Sequence, residues 1–537
     1  MNLLFIATSI AFFVWIIRNS LFWVYLWQVK EYRFDRIYVY FKETNTGRGI
    51  IFSYFSAIKW AVFFFFLLVS VNNDFLLSYR LFIFFIFAIE AVLTFKEFLS
   101  HRLRRPVITI KSVLILLLTL FFISLLFSLP LTEQFLWFLL LDRFVFLFVV
   151  LFVLIFRLPT EFYSDMQAER AVKKIQSRKD LLVIGITGSY GKSTTKEYVA
   201  QILAQKYTVL KTKGTNNTLI GVVKTVISDL RRDTEILVVE MGAYKKGEIA
   251  KICSVVNPKI GIITGISNQH LSLFGSQKNI LEAKYELIDS LSRNGLAVFN
   301  GNSENAFNLY KKTKKKKILY QVVNKTEKKL TNDIWAYDVS VRKDGIYFKV
   351  ALDGKVFKLH ASVIGKQNIE NILPGIYIAY KLGIKPKEIE KAVGSLTSLQ
   401  KTMVRHKVKN GLTLIDDTFN ASSASVVSAI FYISLYKGIK TMILSPMIEL
   451  GEDSSKEHYK AGLEIGKVCD FLYLTNKNYS EDIVRGVKDS GGKCMARIGN
   501  LKEITDFVKE CINKDAALDD IILFEGKEAG FILDRIL

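Results

Sequence analysis

The sequence predicts a bundle of membrane-spanning α-helices followed by α/β domains built on parallel sheets. Apolar residues are concentrated in the first 157 positions, and they give the 537-residue chain a mean hydropathy of +0.26, which is high for a soluble protein. After residue 180, apolar strand-like runs alternate with glycine-containing loops and helix-like stretches, the pattern of parallel α/β domains. We therefore predict a transmembrane region over 1–157, a connector over 158–180, and α/β domains over 181–404 and 405–537.

Five stretches are long and apolar enough to cross a bilayer, which takes about 20 residues of helix. They are Leu3–Trp27, Ile51–Val71, Phe75–Leu93, Val107–Leu129 and Phe135–Phe156. Lysines and arginines are concentrated in the loop Val29–Gly49 and in the loop after the third span, so the positive-inside rule makes both loops cytoplasmic. The N-terminus then lies outside and all residues after Arg157 lie inside. The sequence thus predicts a multi-pass protein of the cell membrane whose α/β domains are cytoplasmic.

Seven ionisable residues fall within the predicted spans. Arg18, Lys59, Arg80 and Lys111 have long side chains that can extend toward an interface. The other three are Glu90, Asp142 and Arg143. Charged groups are costly inside a bilayer, so such residues mark either a functional site or an ion pair that is satisfied within the helix bundle. The sequence favours the ion pair and leaves a functional role open.

The rest of the composition argues against several other functions. The four cysteines stand far apart with no Cys-x-x-Cys pair or Cys/His cluster, so neither a disulfide framework nor a zinc site is indicated. The net charge of +23 includes a lysine-rich run, Lys311–Lys317, which lacks the stacking aromatic residues of a nucleic-acid surface. A solvated face, or contact with anionic lipid, explains that run better. We expect a membrane, and no nucleic acid, as a partner.

A phosphate-binding loop follows the first predicted strand of the α/β part. The apolar run of that strand ends at Ile186, and Gly188-x-x-Gly191-Lys192-Ser193 comes next, followed by a helix-forming stretch. Strand, glycine loop and helix together form the setting in which backbone amides and a helix N-terminus bind phosphate groups. We expect Lys192 to bridge the β- and γ-phosphates of ATP and Ser193 to offer its hydroxyl to Mg²⁺. The loop departs from the strict pattern at Ile186, where glycine is usual.

Two further strands bring polar residues to the same edge of the predicted sheet. The strand that begins at Ile236 ends in Glu240, the place where a phosphate-loop enzyme holds its metal ion. The strand that begins at Ile260 leads to His270, and Lys284 follows near the start of a helix. Ligands bind at the carboxyl ends of strands in such sheets, so these residues are candidates for the site.

The order and spacing of these motifs resemble the Mur ligase family. The motifs that carry the resemblance are Thr187-Gly-Ser-Tyr-Gly-Lys-Ser-Thr-Thr, Glu240-Met-Gly-Ala, Ala283-Lys-Tyr-Glu, Gly365-Lys-Gln-Asn-Ile-Glu-Asn, Arg405 and Asp416-Asp-Thr-Phe-Asn-Ala. They cover about two-thirds of the chain, from Leu181 to its last residue. Within the family, the chain looks most like the ligases that add D-alanyl-D-alanine to the tripeptide of a UDP-linked cell-wall precursor.

The resemblance implies a role for each matched residue. The implied catalytic residues are Lys192, Lys284 and His270. Implied nucleotide contacts are Gly188, Ser189, Gly191, Lys192, Ser193, Thr194, Asn371, Arg405 and Asp417, and implied substrate contacts are Thr215, Asn217 and Asn420. Two Mg²⁺ ions are implied, with Ser193, Glu240, His270 and Lys284 as ligands. Lys284 matches the family's carbamylated lysine, whose carbamate turns a cation into a metal-binding anion.

The sequence departs from the family pattern in four places. Thr215 and Thr218 replace two asparagines, and the Asn-Pro expected after Ala421 is missing. The family's C-terminal Lys-Gly-Ser-Arg reads Glu525-Gly-Lys-Glu, which we expect to alter recognition of the amine substrate. The N-terminal domain that grips the UDP-sugar is replaced by the predicted spans. The acceptor is therefore either lipid-linked or UDP-linked, and the sequence leaves both open.

The resemblance implies an ATP-dependent ligase that activates a carboxylate as an acyl phosphate and joins it to an amine. The acceptor would be a cell-wall precursor peptide at the cytoplasmic face of the membrane, and the donor an amino acid or dipeptide such as D-alanyl-D-alanine. Two alternatives remain: a membrane poly-γ-glutamate-type synthetase and a non-catalytic, nucleotide-binding membrane scaffold. The presence of Lys192, Glu240, His270 and Lys284 together favours catalysis.

Overall fold

A computed structural model describes residues 2–43, 47, 49–50, 54–68, 73–129, 134–214, 216–267, 271–323, 333–408, 411–419, 421, 423–447, 453–513 and 519–537. The chain divides into two compact units, Met1–Met166 and Gln167–Leu537. In the described residues, the first unit is helical and the second contains two β-sheets with helices packed on them. This confirms the predicted fold class.

The first unit is a bundle of apolar helices. Its helices are α1 (Asn2–Val29), α2 (Phe34–Glu43), α3 (Tyr54–Leu68), α4 (Asn73–Leu99), α5 (Ile110–Phe127), α6 (Phe135–Ile155) and α7 (Arg157–Gln176), the last of which continues into the second unit. Phe12, Ile83 and Phe138 are buried between helices, whereas Phe85 and Phe121 are exposed on outer faces. An apolar surface of this kind is suited to lipid rather than to water.

Among the described residues, four helices are long and apolar enough to span a membrane: Leu3–Val29, Leu76–Leu99, Ile110–Phe127 and Phe135–Gln176. The second predicted span, Ile51–Val71, corresponds to α3, an apolar helix of 15 residues. The flanking residues 51–53 and 69–71 lie outside the described part of the chain. The apolar helices are confirmed, whereas the count of five spans and the orientation of the bundle stay predictions.

The loop Val29–Gly49, predicted as a basic connection, contains the short helix α2. This helix is amphipathic: Ile37 packs into an apolar cluster with Trp27 and Val149, while its charged residues lie on other faces. The loop is therefore partly helical because the apolar face of α2 packs against the apolar cluster.

A cluster of charged side chains lies buried inside the first unit. The ammonium of Lys59 on α3 is 2.6 Å from Glu90 Oε2 on α4 and 2.8 Å from Asp142 Oδ2 on α6. Arg143 also contacts Asp142, and the indole Nε1 of Trp15 on α1 donates to Asp142 Oδ1 at 2.7 Å. Lys59, Glu90 and Asp142 are all at most 3% exposed. Two positive and two negative charges thus offset one another, in agreement with the predicted ion pairing.

The first sheet of the second unit is mostly parallel and has a helix layer on each face. Its strands are β1 (Leu182–Thr187), β2 (Val209–Lys211), β3 (Ile236–Glu240), β4 (Ile260–Ile263), β5 (Leu296–Asn300), β6 (Lys317–Val322), β7 (Ile334–Arg342), β8 (Gly345–Leu352) and β9 (Lys355–Ala361). In the described residues they lie in the order β2-β3-β1-β4-β5-β6-β7-β8-β9. Strands β2 to β7 pair in parallel, and β7, β8 and β9 are antiparallel.

Successive side chains of each strand point to opposite faces of the sheet, so the apolar core is divided between the two faces. Ile184 and Ile186 point to one face, and Val183 points to the other. The helices of this domain are α8 (Lys192–Leu203), α9 (Leu219–Asp229), α10 (Glu248–Val256), α11 (Leu271–Phe274), α12 (Gln277–Asp289), α13 (Glu304–Lys312), α14 (Asn368–Lys381) and α15 (Pro386–Gly394). α8, α14 and α15 cover the first face, and α9, α10 and α12 cover the second. Each strand is therefore buried on both faces, which explains the continuous apolar runs.

Strands β7, β8 and β9 form a three-stranded antiparallel meander. Asp353 and Gly354, with φ of +48° and +74°, join β8 to β9. Two positive φ values are typical of the tight type I′ hairpin turn. A second two-residue turn, at Lys343 and Asp344, joins β7 to β8, and Gly345 follows it.

The second sheet belongs to the C-terminal domain. Its strands are β10 (Val404–Lys407), β11 (Thr413–Asp417), β12 (Lys440–Leu444), β13 (Phe471–Leu474), β14 (Met495–Ile498) and β15 (Ile521–Glu525), and its helices are α16 (Ser423–Ile433), α17 (Ser454–Val468), α18 (Ser480–Asp489), α19 (Leu501–Asn513) and α20 (Lys527–Leu533). The described strands lie in the order β10-β11-β15-β12-β13-β14, and only β10 is antiparallel to its neighbour. The last strand of the chain thus lies between β11 and β12.

Replacing Lys59 should destabilise the helix bundle. Lys59→Met leaves Glu90 and Asp142 buried with less compensating charge, so we expect a loss of about 3–5 kcal/mol in the free energy of unfolding. Thermal unfolding in detergent measures it. The exposed Lys96→Met is the matched control and should change little. Adding Glu90→Gln to Lys59→Met should recover part of the loss, and no recovery would show that the charges are not coupled.

Candidate active site

The phosphate loop connects β1 to α8, as predicted. Gly191 caps the N-terminus of α8 with φ of +79°, a left-handed conformation that strains any residue with a side chain. A Cβ atom at Gly191 would also collide with the side-chain oxygen of Asn371. The first amides of α8 therefore face outward beside Lys192, in the arrangement that binds phosphate at a helix N-terminus.

The carboxylate of Glu240 lies beside this loop because β1 and β3 are parallel neighbours, with Ile186 opposite Glu240. Ser193 Oγ donates to Glu240 Oε1 at 2.9 Å, and Asn217 Nδ2 donates to the same oxygen at 3.1 Å. Lys196 Nζ is 3.3 Å from the other oxygen, Oε2. Glu240 is buried, so three neighbours fix its orientation.

The hydroxyl of Ser193 and the carboxylate of Glu240 are oxygen donors of the type that Mg²⁺ prefers. Among the described residues, no group of three His, Cys, Asp or Glu side chains is placed to hold a metal ion. A Mg²⁺ ion at this pair would complete its shell with phosphate oxygens and water, as Mg²⁺ commonly does in nucleotide sites. The residues present therefore fit one Mg²⁺ that is bound together with phosphates.

Two lysines lie close together at this edge of the sheet. Lys192 Nζ donates to the carbonyl of Ser189 at 2.9 Å, and burial lowers the pKa of Lys192. Burial, together with the positive charge of Lys192, lowers the pKa of Lys284 to about 7, although the carboxylates of Glu248 and Glu286 oppose the shift. Glu286 accepts hydrogen bonds from two backbone amides at the start of α10, which explains the glutamate of the Ala-Lys-Tyr-Glu motif.

A cavity of about 310 Å³ lies between the central and C-terminal domains. The loop residues Ser189–Thr194 form one wall, and Asp417 and Ser425 belong to the opposite wall. Asn371 lines the cavity, and its Oδ1 accepts a hydrogen bond from Thr195 Oγ1 at 3.1 Å. The same region is rich in amide side chains, which can both donate to and accept from a nucleotide.

Two carboxyl groups of the C-terminal domain lie side by side, and one of them, that of Asp417, lines this cavity. Asp417 ends β11 and lies opposite Glu525, the last residue of β15, in the strand register. Met403 N donates to Asp417 Oδ1 at 3.2 Å, and Ser425 Oγ donates to Glu525 Oε1 at 2.9 Å. Burial raises the pKa of Asp417 to about 7, although its hydrogen bond with Glu525 opposes the shift, and burial together with the neighbouring Asp417 raises the pKa of Glu525 well above its usual value.

The structure brings only part of the predicted site together. Ser189, Gly191, Lys192, Ser193, Thr194, Asn371 and Asp417 line the cavity, and Glu240 and Lys284 lie beside them. Arg405 does not line it: its guanidinium donates to the carbonyl of Lys343 at 2.7 Å. A nucleotide contact from Arg405 therefore requires the C-terminal domain to move. His270, Thr215 and Asn420 lie outside the described residues.

Asn217 donates to Glu240, and its role as a substrate contact stays a prediction. Two residues of the site were missed by the sequence analysis. Lys196 lies one helical turn after Lys192 and is buried against Glu240, so the i, i+4 spacing on α8 was the available signal. Glu525 had been noted only as a departure from the family pattern, and its strand register with Asp417 is visible only in the folded chain.

Comparison with known proteins gives concordant matches. The family model for the Mur ligase middle domain matches residues 186–379. The UDP-N-acetylmuramoyl-tripeptide–D-alanyl-D-alanine ligase of Bacillus subtilis is 30% identical over 360 residues, which are 66% of this chain and 75% of that enzyme. The ligase of the same name from Escherichia coli is 27% identical over 350 residues, 63% of this chain and 76% of that enzyme.

Solved structures show the same fold. MurF from Acinetobacter baumannii superposes with a TM-score of 0.62 at 22% identity, covering 70% of this chain and 80% of that one. MurF of Thermotoga maritima, solved in complex with ADP, gives a TM-score of 0.60 at 24% identity, covering 70% and 82%. The comparisons give no support to the carbamate expected on Lys284. A carbamate anion there would also face the carboxylates of Glu248 and Glu286.

Removing the charge of Glu240 should impair ATP turnover. Glu240→Gln keeps the shape of the side chain but loses the anion that faces Ser193 and Lys196, so we expect ADP formation to fall roughly a hundredfold. A coupled ADP assay on the full-length protein measures it. Glu304→Gln, on the exposed first turn of α13, is the matched control and should keep the wild-type rate. Equal rates for both variants would exclude Glu240 from the reaction.

Proposed function

Because the chain belongs to the Mur ligase family, whose members are ATP-dependent ligases, we propose that it joins a cell-wall precursor peptide to D-alanyl-D-alanine or a similar amine. The observation that carries the proposal is the contact of Ser193 with Glu240 beside the phosphate loop, at the carboxyl ends of parallel strands. The donor and acceptor are those in the names of the Bacillus and Escherichia relatives.

In this proposal, ATP lies in the interdomain cavity with its phosphates on the loop. The residues proposed to contact the nucleotide are Gly188, Ser189, Gly191, Lys192, Ser193, Thr194 and Asn371. Ser193 and Glu240 would hold Mg²⁺, which supplies positive charge to the phosphates. Asn217 and Lys196 keep the Glu240 carboxylate in place. His270, Thr215 and Asn420 keep their predicted roles as metal and substrate contacts.

The main obstacle to the first step, formation of the acyl phosphate, is charge repulsion, and residues of this chain offset it. A carboxylate and a triphosphate repel each other, so the attack on the γ-phosphorus needs positive charge around the transferred group. Lys192 and the amides of the α8 N-terminus supply it from one side. Lys284, buried nearby, adds a second amine at the same edge. The acyl phosphate then reacts with the amine, and phosphate leaves.

Water must be kept from the acyl phosphate, because hydrolysis would waste ATP. The cavity lies between two domains, so closure of the C-terminal domain over the loop would exclude water. The same movement would bring Arg405 toward the nucleotide from its present contact with Lys343. Domain closure therefore connects two parts of the proposal: protection of the intermediate and completion of the nucleotide site.

The apolar helices support a location in the membrane. Four helices of the first unit are long and apolar enough to span it, and we propose a multi-pass protein with its ligase domains in the cytoplasm. An anchored enzyme gains effective concentration toward an acceptor that is held in the same membrane. We therefore propose a lipid-linked acceptor as the natural one, with the UDP-linked precursor as the alternative.

Purified full-length protein should form ADP and a ligated peptide from ATP, UDP-N-acetylmuramoyl-tripeptide and D-alanyl-D-alanine. Mass spectrometry detects the peptide and a coupled assay detects ADP. Lys192→Met should abolish both products, because the amine at the phosphate loop is lost. Lys251→Met, an exposed lysine on α10, should leave both unchanged. Peptide formation without ATP, or full activity of Lys192→Met, would contradict the proposal.

Removal of residues 1–157 should separate the two acceptors. Ligation of a lipid-linked acceptor should fall about tenfold or more, because the truncated enzyme loses its effective concentration at the membrane. Ligation of the soluble UDP-linked acceptor should change little, since the second unit retains the proposed site. Both rates are measured in the same vesicles. If truncation changed neither ligation rate, a soluble acceptor would be favoured. The helices would then serve only as an anchor.

A further inference from the structure

Lys196 is a buried cation next to the proposed metal site. It lies on α8 and is fully buried, and its Nζ is 3.3 Å from Glu240 Oε2. The same ammonium donates to the carbonyl of Gly214 at 2.8 Å. Burying a charged amine is costly unless an anion and hydrogen-bond acceptors offset the cost, so these partners hold Lys196 in place.

The other charges near Lys196 show that Glu240 is its anion. Glu197 Oε1 is also close, at 3.6 Å from Lys196 Nζ, but Glu197 pairs with Lys211 at the end of β2 as well. Two cations and two carboxylates therefore balance one another in this cluster. Because Lys211 offsets Glu197, the charge of Lys196 is left for Glu240.

The two oxygens of the Glu240 carboxylate have different surroundings. Oε1 accepts hydrogen bonds from Ser193 and Asn217, and Ser193 lines the interdomain cavity. Oε2 is buried, faces Lys196 and accepts no hydrogen bond from the described residues. A metal ion that enters from the cavity therefore meets Oε1, while the positive charge of Lys196 repels it from Oε2.

The number of oxygens that one carboxylate offers influences which divalent cation a site holds. Mg²⁺ is small and requires a nearly octahedral shell, which the narrow angle between the two oxygens of one carboxylate does not fit. Ca²⁺ is larger, takes about six to eight oxygens in a flexible shell, and accepts both oxygens of one carboxylate. A carboxylate with only one available oxygen therefore favours Mg²⁺ over Ca²⁺.

We propose that Lys196 determines the metal selectivity of the site: it occupies Glu240 Oε2, so that the site holds Mg²⁺ in preference to Ca²⁺. This rests on the proposed function, in which Ser193 and Glu240 hold Mg²⁺, and it extends that function to the choice of ion. Lys196 does not touch the ion in this proposal. It is a positioning residue that acts through Glu240.

The affinities of Mg²⁺ and Ca²⁺ for the full-length protein with bound ADP test this role. Calorimetric titration gives a dissociation constant for each cation, and the ratio of the two constants is the readout, which requires no turnover. Lys196→Met should lower the preference for Mg²⁺ about tenfold, because Glu240 can then offer both oxygens to Ca²⁺.

Glu197→Gln is the matched control. It changes a charge in the same buried cluster but leaves Lys196 beside Glu240, so the ratio of the two dissociation constants should stay within about twofold of the wild-type ratio. A general change in the charge or packing of the site would move both affinities together. An unchanged ratio in Lys196→Met therefore overturns the inference, and so does an equal change of the ratio in Glu197→Gln.

Two further outcomes are also decisive. Absence of ADP binding by the wild-type protein would overturn the proposed nucleotide site itself, and this inference with it. If the thermal midpoint shows that Lys196→Met does not fold, a structure of the wild-type protein with Mg²⁺ and ADP decides. One Glu240 oxygen bound to the ion supports the role of Lys196, and any other number overturns it.

Discussion

The site in the central domain depends on the contacts of the buried Glu240 carboxylate. This carboxylate lies where it does because β1 and β3 pair in parallel, which places Glu240 opposite Ile186 at the start of the phosphate loop. Ser193, Asn217 and Lys196 then converge on its two oxygens from different elements. A shift of one residue in the pairing would turn the carboxylate to the other face and separate it from the loop. The pairing of β1 with β3 thus holds the phosphate loop and the Glu240 carboxylate together.

Much of this central site could be predicted from the sequence, since buried parallel strands and a glycine loop leave a strong local pattern. Lys192, Ser193 and Glu240 each follow directly from the end of a strand. Lys196 was missed because a lysine inside a helix gives no sign that it is buried. Glu525 was missed because β15 enters the sheet between β11 and β12, and that strand order depends on packing across a hundred residues.

The helical first unit shows the same limit of prediction from the sequence. Glu90, Asp142 and Arg143 could be recognised as ionisable groups within apolar spans, and a satisfied cluster was the favoured interpretation. Lys59 holds the cluster together, yet the sequence analysis did not place it there, because a lysine near a span end can also extend its side chain to the interface. Only the packing of α3 against α4 and α6 directs its ammonium inward.

The two carboxyl sites of the ligase domains differ in how their charge is compensated. Glu240 is offset by Lys196 and oriented by two further donors, so its position beside the phosphate loop is fixed. Asp417 and Glu525 accept hydrogen bonds from a backbone amide and a hydroxyl, and among the described residues neither forms a salt bridge. Burial raises the pKa of both groups, so a shared proton rather than a cation offsets the charge of this pair.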